Sequence, residues 1–353
     1  MGRHTHHIDW ITALILVCLG SFGLFILLTI GQSYFVSQLL YLVLGFILLF
    51  AFSYMDPAIL WWFAPVGYVL SNIFLAMSYL GPNIRGATRW IVIFGAQIQP
   101  SEVVKPFLLL AFAHFMARYT PRKLGNFPIL FILFTLPFLL VFRQPDLGTS
   151  LVYTGFWGAM LLASGLPVWV FVSGVVVVGW LLPFFWSHLA TYQQERILTF
   201  LNPSLDPKGA GYNALQAMIA VGSGQWWGRG LGRGTQSHLR FLPEYHTDFI
   251  FATLTEELGF FGGALLLAGY AFLLYRIIAP ILRGVVADTR VFIYSFGLFA
   301  MLLSQIFINA GMNMGLIPIT GITLPFVSYG GSSILSTAIA FGILWAIARL
   351  PRS

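Results

Sequence analysis

Three short polar stretches interrupt an otherwise apolar chain, and each holds side chains that could do chemistry. The first is Gln99-Pro100-Ser101-Glu102-Val103-Val104-Lys105. Pro100 suits the first turn of a helix, and Glu102 and Lys105 then share one helix face, one turn in. Two readings stay open: an ion pair that locks helix packing, or a lysine turned towards a cavity where it attracts phosphate. Ser101 and Lys105 are too far apart in sequence for the Ser-x-x-Lys acylation pair.

The second stretch is Phe241-Leu-Pro-Glu244-Tyr-His246-Thr247-Asp248-Phe-Ile250. A carboxylate at the point where a polar loop re-enters the membrane can reach water and substrate together. Partial desolvation raises its pKa and makes it a better base. The alternative is a carboxylate that merely complements a helix dipole. Glu256 and Glu257 follow; on a regular helix Glu256 lies about 80° from Asp248 and Glu257 about 180°. Both are expected to be structural or paired. The third stretch, Arg143-Gln-Pro-Asp146-Leu-Gly-Thr149, is a tight turn in which Asp146 caps the next helix or binds a basic loop residue.

The elements that must position these groups follow from composition. Of 353 residues, 58% are hydrophobic and 8% charged, and mean hydropathy is +0.86. Soluble domains carry roughly 25% charged residues, so this is a membrane protein. Apolar runs place helices near 10–31, 35–54, 57–80, 101–117, 128–142, 147–164, 167–187, 248–275, 291–312 and 330–348. That gives an all-α polytopic bundle of about ten transmembrane helices in a single domain, 1–353. The first run is too long for a signal-peptide core and is read as a retained helix. Cys18 is the only cysteine, so there is no internal disulfide.

Two breaks are longer than the rest. One, 81–99, holds Arg85, Arg89 and Trp90. The other, about 188–247, is a large loop rich in Gly, Pro, Arg and Trp. Short turns bearing Arg118, Arg122 and Lys123, and Arg276, Arg283 and Arg290, fall on the side of the N-terminus with Arg349 and Arg352. The positive-inside rule makes that side cytoplasmic, with both termini there and the large loop outside. The outer segments are also basic, with Arg85, Arg89, Arg143, Arg196, Lys208, Arg229, Arg233 and Arg240. They form either a solvated surface on lipid headgroups or a vestibule for an anionic substrate at the outer leaflet. A net charge of +7 therefore points to the bilayer surface and an anionic ligand, not to nucleic acid. The glycines of 222–234 lack the strand-helix context of a nucleotide loop. No His-Glu-x-x-His or Gly-x-Ser-x-Gly motif is present.

Gln99-Pro-Ser-Glu-x-x-Lys105, Gln144-Pro-Asp-Leu-Gly-Thr149, Gly234-Thr-Gln-Ser237, Phe241-Leu-Pro-Glu-Tyr-His-Thr-Asp-Phe-Ile-Phe251 and Leu324-Pro-Phe-Val-Ser-Tyr-Gly-Gly-Ser-Ser333 together resemble the SEDS family (shape, elongation, division and sporulation proteins of bacteria) over nearly the whole chain. Gly-Thr-Gln-Ser followed by Phe-Leu-Pro-Glu is more similar to the elongation branch than to the division branch. The resemblance implies a peptidoglycan glycosyltransferase of the bacterial inner membrane. It would polymerise lipid II, a disaccharide-pentapeptide on undecaprenyl diphosphate, beside a class B penicillin-binding transpeptidase. It makes Asp248 the essential aspartate and maps the family's Glu and Lys to Glu102 and Lys105. The remaining substrate-contacting candidates are Arg89, Arg85, Gln99, Asp146, Arg196, Arg240, His246 and Thr247. No ligand set demands a metal, and a divalent cation bridging Asp248 or Glu102 to diphosphate stays open. A lipid II flippase and a non-catalytic scaffold for the transpeptidase are the competing readings.

Overall fold

The computed structural model describes residues 8–82, 88–93, 96–186, 191–202, 209–239 and 241–348. Helices dominate: α1 (Trp10–Ile30), α2 (Gln32–Ser53), α3 (Pro57–Met77), α4 (Pro100–Val103), α5 (Lys105–Arg118), α6 (Phe127–Phe142), α7 (Leu147–Ala163), α8 (Val168–Phe185), α9 (Thr191–Leu201), α10 (Ala210–Ser223), α11 (Thr235–His238), α12 (Ile250–Leu282), α13 (Thr289–Asn313) and α14 (Gly331–Ile347). One antiparallel hairpin, β1 (Ile91–Ile93) and β2 (Ala96–Ile98), departs from the purely helical expectation, with Val92 opposite Gln97. Helix starts are written in the aspartates. Asp9, Asp56, Asp146 and Asp288 each accept a first-turn backbone N–H, and Pro57 follows Asp56 at the first helical position.

The distribution of side chains is that of a protein in lipid. Leu40, Ile47, Ile59, Trp62, Val176 and Trp180 are exposed, whereas Gln38, Lys105, Asp146, Glu256, Glu257, Asn309 and Asn313 are buried. Polar groups inside and apolar groups outside fit hydrocarbon solvent. The chain is an all-α polytopic membrane protein.

Among the described residues, six helical segments are long and apolar enough to cross a membrane: Trp10–Ile30, Gln32–Ser53, Pro57–Leu80, Leu124–Phe142, Ile250–Leu282 and Thr289–Asn313. These are fewer than the about ten spans expected from sequence. Leu147–Ala163 and Gly331–Ile347 have 17 residues each, about 26 Å of helix, and stop short of a full hydrocarbon core. Turn signals shorten them: Gln144-Pro145-Asp146 and Ser164-Gly165 around α7, and Gly330 before α14. The fourth expected span is broken at Val104 into α4 and α5 and carries buried charge.

Helices lack a hydrophobic drive to associate in lipid and rely on close contact. At the extensive α2–α14 seam, Gly342 lets the backbone pass Leu49; a Cβ there would lie 2.5 Å from the Leu49 carbonyl oxygen.

Among its described residues, the expected large loop holds two helices of more than ten residues. Residues 191–201 and 210–223 form α9 and α10, and Ala217 and Ala220 of α10 pack with Leu242, Phe249 and Ala252. The glycines and tryptophans of this region obscured that period. They cluster instead at 224–234, where the chain wraps a break in α12. Gly259 has φ +69° and interrupts the helix. The carbonyls of Glu256 and Glu257 accept from Arg229 N (2.9 Å) and Gly230 N (3.1 Å), while Phe260 N donates to the Gln225 carbonyl (2.7 Å). The kink thus keeps its backbone groups paired. Gly228 (φ +82°) leaves no room for a side chain, because a Cβ would lie 2.1 Å from the Glu257 carbonyl oxygen. Gly228→Ala is expected to destabilise the protein by about 3 kcal/mol or more, read as a lower melting temperature in detergent.

Candidate active site

Four stretches of chain meet around a cavity of about 470 Å³. The hairpin region and α4 bring Arg89, Trp90, Gln97, Gln99 and Glu102. The turn before α12 brings Glu244, His246, Thr247 and Asp248. The segment before α14 brings Gly321, Thr323 and Tyr329 to Ser333, and α2 brings Tyr41.

Glu102 and Lys105 form the ion pair that their spacing allows, with Lys105 Nζ 2.6 Å from Glu102 Oε1. They are 6% and 1% exposed, so each charge depends on the other for compensation. Glu102 lines the cavity and Lys105 stands behind it. Asp146 does both things expected of it in part. One oxygen caps α7 at Thr149 N (3.1 Å); the other accepts from Gln99 Nε2 (3.0 Å) and Ser101 Oγ (3.4 Å). Its second partner is an amide and a hydroxyl instead of a basic loop residue. Gln99 N in turn donates to Ser332 Oγ at 3.0 Å, and Tyr153 OH donates to the Ser101 carbonyl at 2.8 Å. The Gln-Pro-Ser-Glu turn is therefore fixed from α7 and from α14.

The His246-Thr247-Asp248 turn is held by its carbonyls. Tyr329 N donates to His246 O (2.9 Å) and Ser328 Oγ to Thr247 O (2.7 Å). Asn309 Nδ2 and Asn313 Nδ2 donate to Asp248 O at 2.9 and 3.1 Å. The backbone is pinned while the side chain is left for the cavity. Among the described residues the Asp248 carboxylate accepts no hydrogen bond, and the cap position of α12 is Phe249, so Asp248 does not cap the helix. Gly321 lies against it; a Cβ there would sit 3.3 Å from Asp248 Oδ2. Thr247 Oγ1 donates to Glu244 Oε2 at 3.0 Å. The His246 ring packs on Tyr34, with centroids 4.4 Å apart.

Asp248 lies in the turn outside the spanning helix. Burial first, and the nearby charges of Glu244 and Asp146 after it, push its pKa up to about 6, against the opposing pull of Arg89 and Arg196. Arg89 is the one arginine or lysine among the described residues that line the cavity. Arg196 does not line this cavity but a second one of about 100 Å³, with Thr199, Met312 and Ile319, near enough for its charge to reach Asp248. Arg85 and Arg240 lie outside the described residues.

Glu256 and Glu257 belong to a different job. Because α12 starts after Asp248, the angular relation drawn for a regular helix does not apply. Glu256 accepts from Gln236 N (3.0 Å) and Thr235 Oγ1 (3.2 Å), and Glu257 pairs with His238 Nε2 (2.9 Å) and accepts from Thr29 Oγ1 (3.0 Å). Both are paired, as expected, and they fasten the Gly-Thr-Gln-Ser segment to α12. Sequence reasoning gave no role to Asn309 and Asn313, although polar residues four apart in an apolar helix were a visible signal. It also gave none to Gly321, Thr323, Ser332 and Ser333. Among the described residues no group of three His, Cys, Asp or Glu side chains converges as a metal site.

The model of a family described as cell cycle protein, which groups FtsW, RodA and SpoVE, matches residues 5–353. The chain is 39% identical over 309 residues to peptidoglycan glycosyltransferase MrdB of Escherichia coli K12, covering 87% of this chain and 83% of that one. Its fold is similar to a chain from a structure described as structural coordination of polymerization and crosslinking by a peptidoglycan synthase complex, with a TM-score of 0.83, 29% identity and 97% of each chain covered. The crystal structure of the rod shape determining protein RodA of Thermus thermophilus is also similar, with a TM-score of 0.73, 25% identity and 98% of each chain covered. The chain belongs to the FtsW/RodA/SpoVE family, the SEDS proteins.

Proposed function

We propose that this SEDS protein polymerises lipid II into glycan strands as an inverting glycosyltransferase, with Asp248 as its general base. The observation that carries the reading is a carboxylate free of capping duty, anchored by its backbone and raised to a pKa of about 6, opening on a cavity that Arg89 and the Lys105-paired Glu102 also line. A base with that pKa is mostly ionised at neutral pH and still avid for a proton. Asp248 takes the proton of the acceptor sugar's 4-hydroxyl as its oxygen attacks the donor's anomeric carbon. The bond from that carbon to the diphosphate oxygen breaks, and undecaprenyl diphosphate leaves. One displacement inverts the α linkage to β. Arg89 and the helix ends around the cavity stabilise the departing negative charge.

Further parts of the reading rest on motif and likeness. Residues 1–353 form one domain. About ten helices cross the membrane, the shorter ones in a locally thinned bilayer, with both termini cytoplasmic and the 188–247 region outside. The setting is the bacterial inner membrane, and the role is elongation and cell shape, supported by the likeness to a rod shape determining protein. A class B penicillin-binding transpeptidase is the partner, supported by the likeness to a chain of a peptidoglycan synthase complex. Gln99, His246 and Thr247 shape the site, Asp146 holds Gln99, and Arg85, Arg196 and Arg240 draw in the anionic substrate.

The test is polymerisation of lipid II by purified protein, with and without the transpeptidase. Glycan strands support the reading; movement of lipid II across a bilayer without chain growth supports a flippase. The rate is also expected to depend on pH. Asp248 acts only when deprotonated, so the rate should fall about tenfold per pH unit below about 6 and level off above it. A flat profile from pH 5 to 8 contradicts the assignment.

A further inference from the structure

The N-terminus of α14 opens into the cavity with nothing to cap it. Gly330 holds the cap position and offers no side-chain hydrogen bond. The first-turn N–H groups of a helix lack partners within the helix, and together with the dipole they favour an anion. The neighbouring side chains do not supply the missing acceptor. Ser332 Oγ is occupied by Gln99 N at 3.0 Å. Ser333, 4% exposed, lines the cavity, and its buried Oγ has no hydrogen-bond partner. Thr323 Oγ1, also on the cavity wall, is in the same condition. Unsatisfied buried hydroxyls are costly, and two beside one uncapped helix end call for a polar ligand.

The glycines have a part in this. A Cβ at Gly331 would lie 2.5 Å from the Tyr41 ring, so only glycine fits between that ring and the helix end. Gly330 and Gly331 keep the backbone N–H groups uncovered. Arg89, with its own buried Nε unpartnered, is on the same cavity wall. Of the carboxylates lining the cavity, Glu102 is neutralised by Lys105, and none lies on the 330–333 turn.

We infer that the N-terminus of α14, with Ser333, Thr323 and Arg89, is the subsite for the diphosphate of a lipid-linked sugar. Backbone N–H groups of Gly331 to Ser333 and the Ser333 hydroxyl donate to phosphate oxygens, and Arg89 balances the remaining charge. The inference rests on the glycosyltransferase reading for its choice of diphosphate over other anions.

The experiment measures binding of undecaprenyl diphosphate, and separately of undecaprenyl monophosphate, to the purified full-length protein. Binding is read independently of turnover, so a wild type that binds but does not polymerise defeats the functional reading and spares this one. The wild type should bind the diphosphate, and the monophosphate at least about tenfold more weakly. Ser333→Ala should weaken diphosphate binding about tenfold, Ser333→Thr should restore most of that loss, and Ser333→Asp should abolish binding. Melting temperatures verify folding, and the Ala and Thr pair decides the matter if the Asp variant fails to fold. Equal binding of monophosphate and diphosphate overturns the subsite. So does undiminished binding by Ser333→Ala, or no binding by the wild type.

Discussion

Asp248→Asn is expected to lower lipid II polymerisation by at least about a hundredfold while raising, not lowering, the stability of the protein. General-base help is typically worth roughly 10²–10⁴-fold. Asparagine has nearly the same size, and the backbone at this position is held by Asn309, Asn313 and, one residue earlier, Ser328. The substituted side chain therefore stays in place and loses only its ability to take a proton. The stability effect has a definite sign. Asp248 has a folded-state pKa raised from 3.8 to about 6, so the folded state resists its ionisation. Stability falls as pH climbs from about 4 to about 6, and the penalty is complete above that. Asparagine removes it, so the variant should melt at or above the wild-type temperature at neutral pH, and the gap should close near pH 4. Loss of activity with loss of stability would point to misfolding instead. A residue that costs stability and supplies activity is the trade expected at a functional site.

The second large effect concerns the buried ion pair. Lys105→Met leaves the Glu102 carboxylate buried and uncompensated, and Glu102→Gln does the same to the Lys105 ammonium. Breaking a buried pair from one side costs about 3–5 kcal/mol. Each single variant should show a large drop in melting temperature in detergent. The double variant Glu102→Gln with Lys105→Met removes both charges and should recover most of that stability. The activity of the double variant separates the two roles left open by sequence. Glu102 faces the cavity, so polymerisation is expected to stay more than about tenfold below wild type even where stability returns. Full recovery of activity would make the pair a packing device alone.

Much of this was legible in sequence for reasons that are local. The helix start at Asp146 follows from capping chemistry, and the Glu102–Lys105 contact follows from helical spacing. What was not legible depends on tertiary partners. The grip of Asn309 and Asn313 on Asp248 O crosses more than 60 residues, and no spacing rule reaches that far. The region 188–247 read as loop because its glycines signal turns. Those glycines in fact serve the break in α12, where Gly228 and Gly259 face each other, and the helices α9 and α10 lie just before them. Arg196 stood out in sequence by charge alone; it lines a second cavity, from which its charge still reaches Asp248. The Gly-Gly-Ser-Ser turn was noticeable in sequence only as a resemblance. Its chemistry appears once α14 is seen to begin at the wall that also holds Asp248.

The central claim is that sugar transfer takes place in the cavity shared by Asp248, Arg89 and the start of α14. The most direct measurement is a structure of the Asp248→Asn variant bound to lipid II. A sugar hydroxyl is expected within about 3 Å of residue 248, and the diphosphate against Gly331 to Ser333. Lipid II bound elsewhere on the bundle, with this cavity empty, would contradict it.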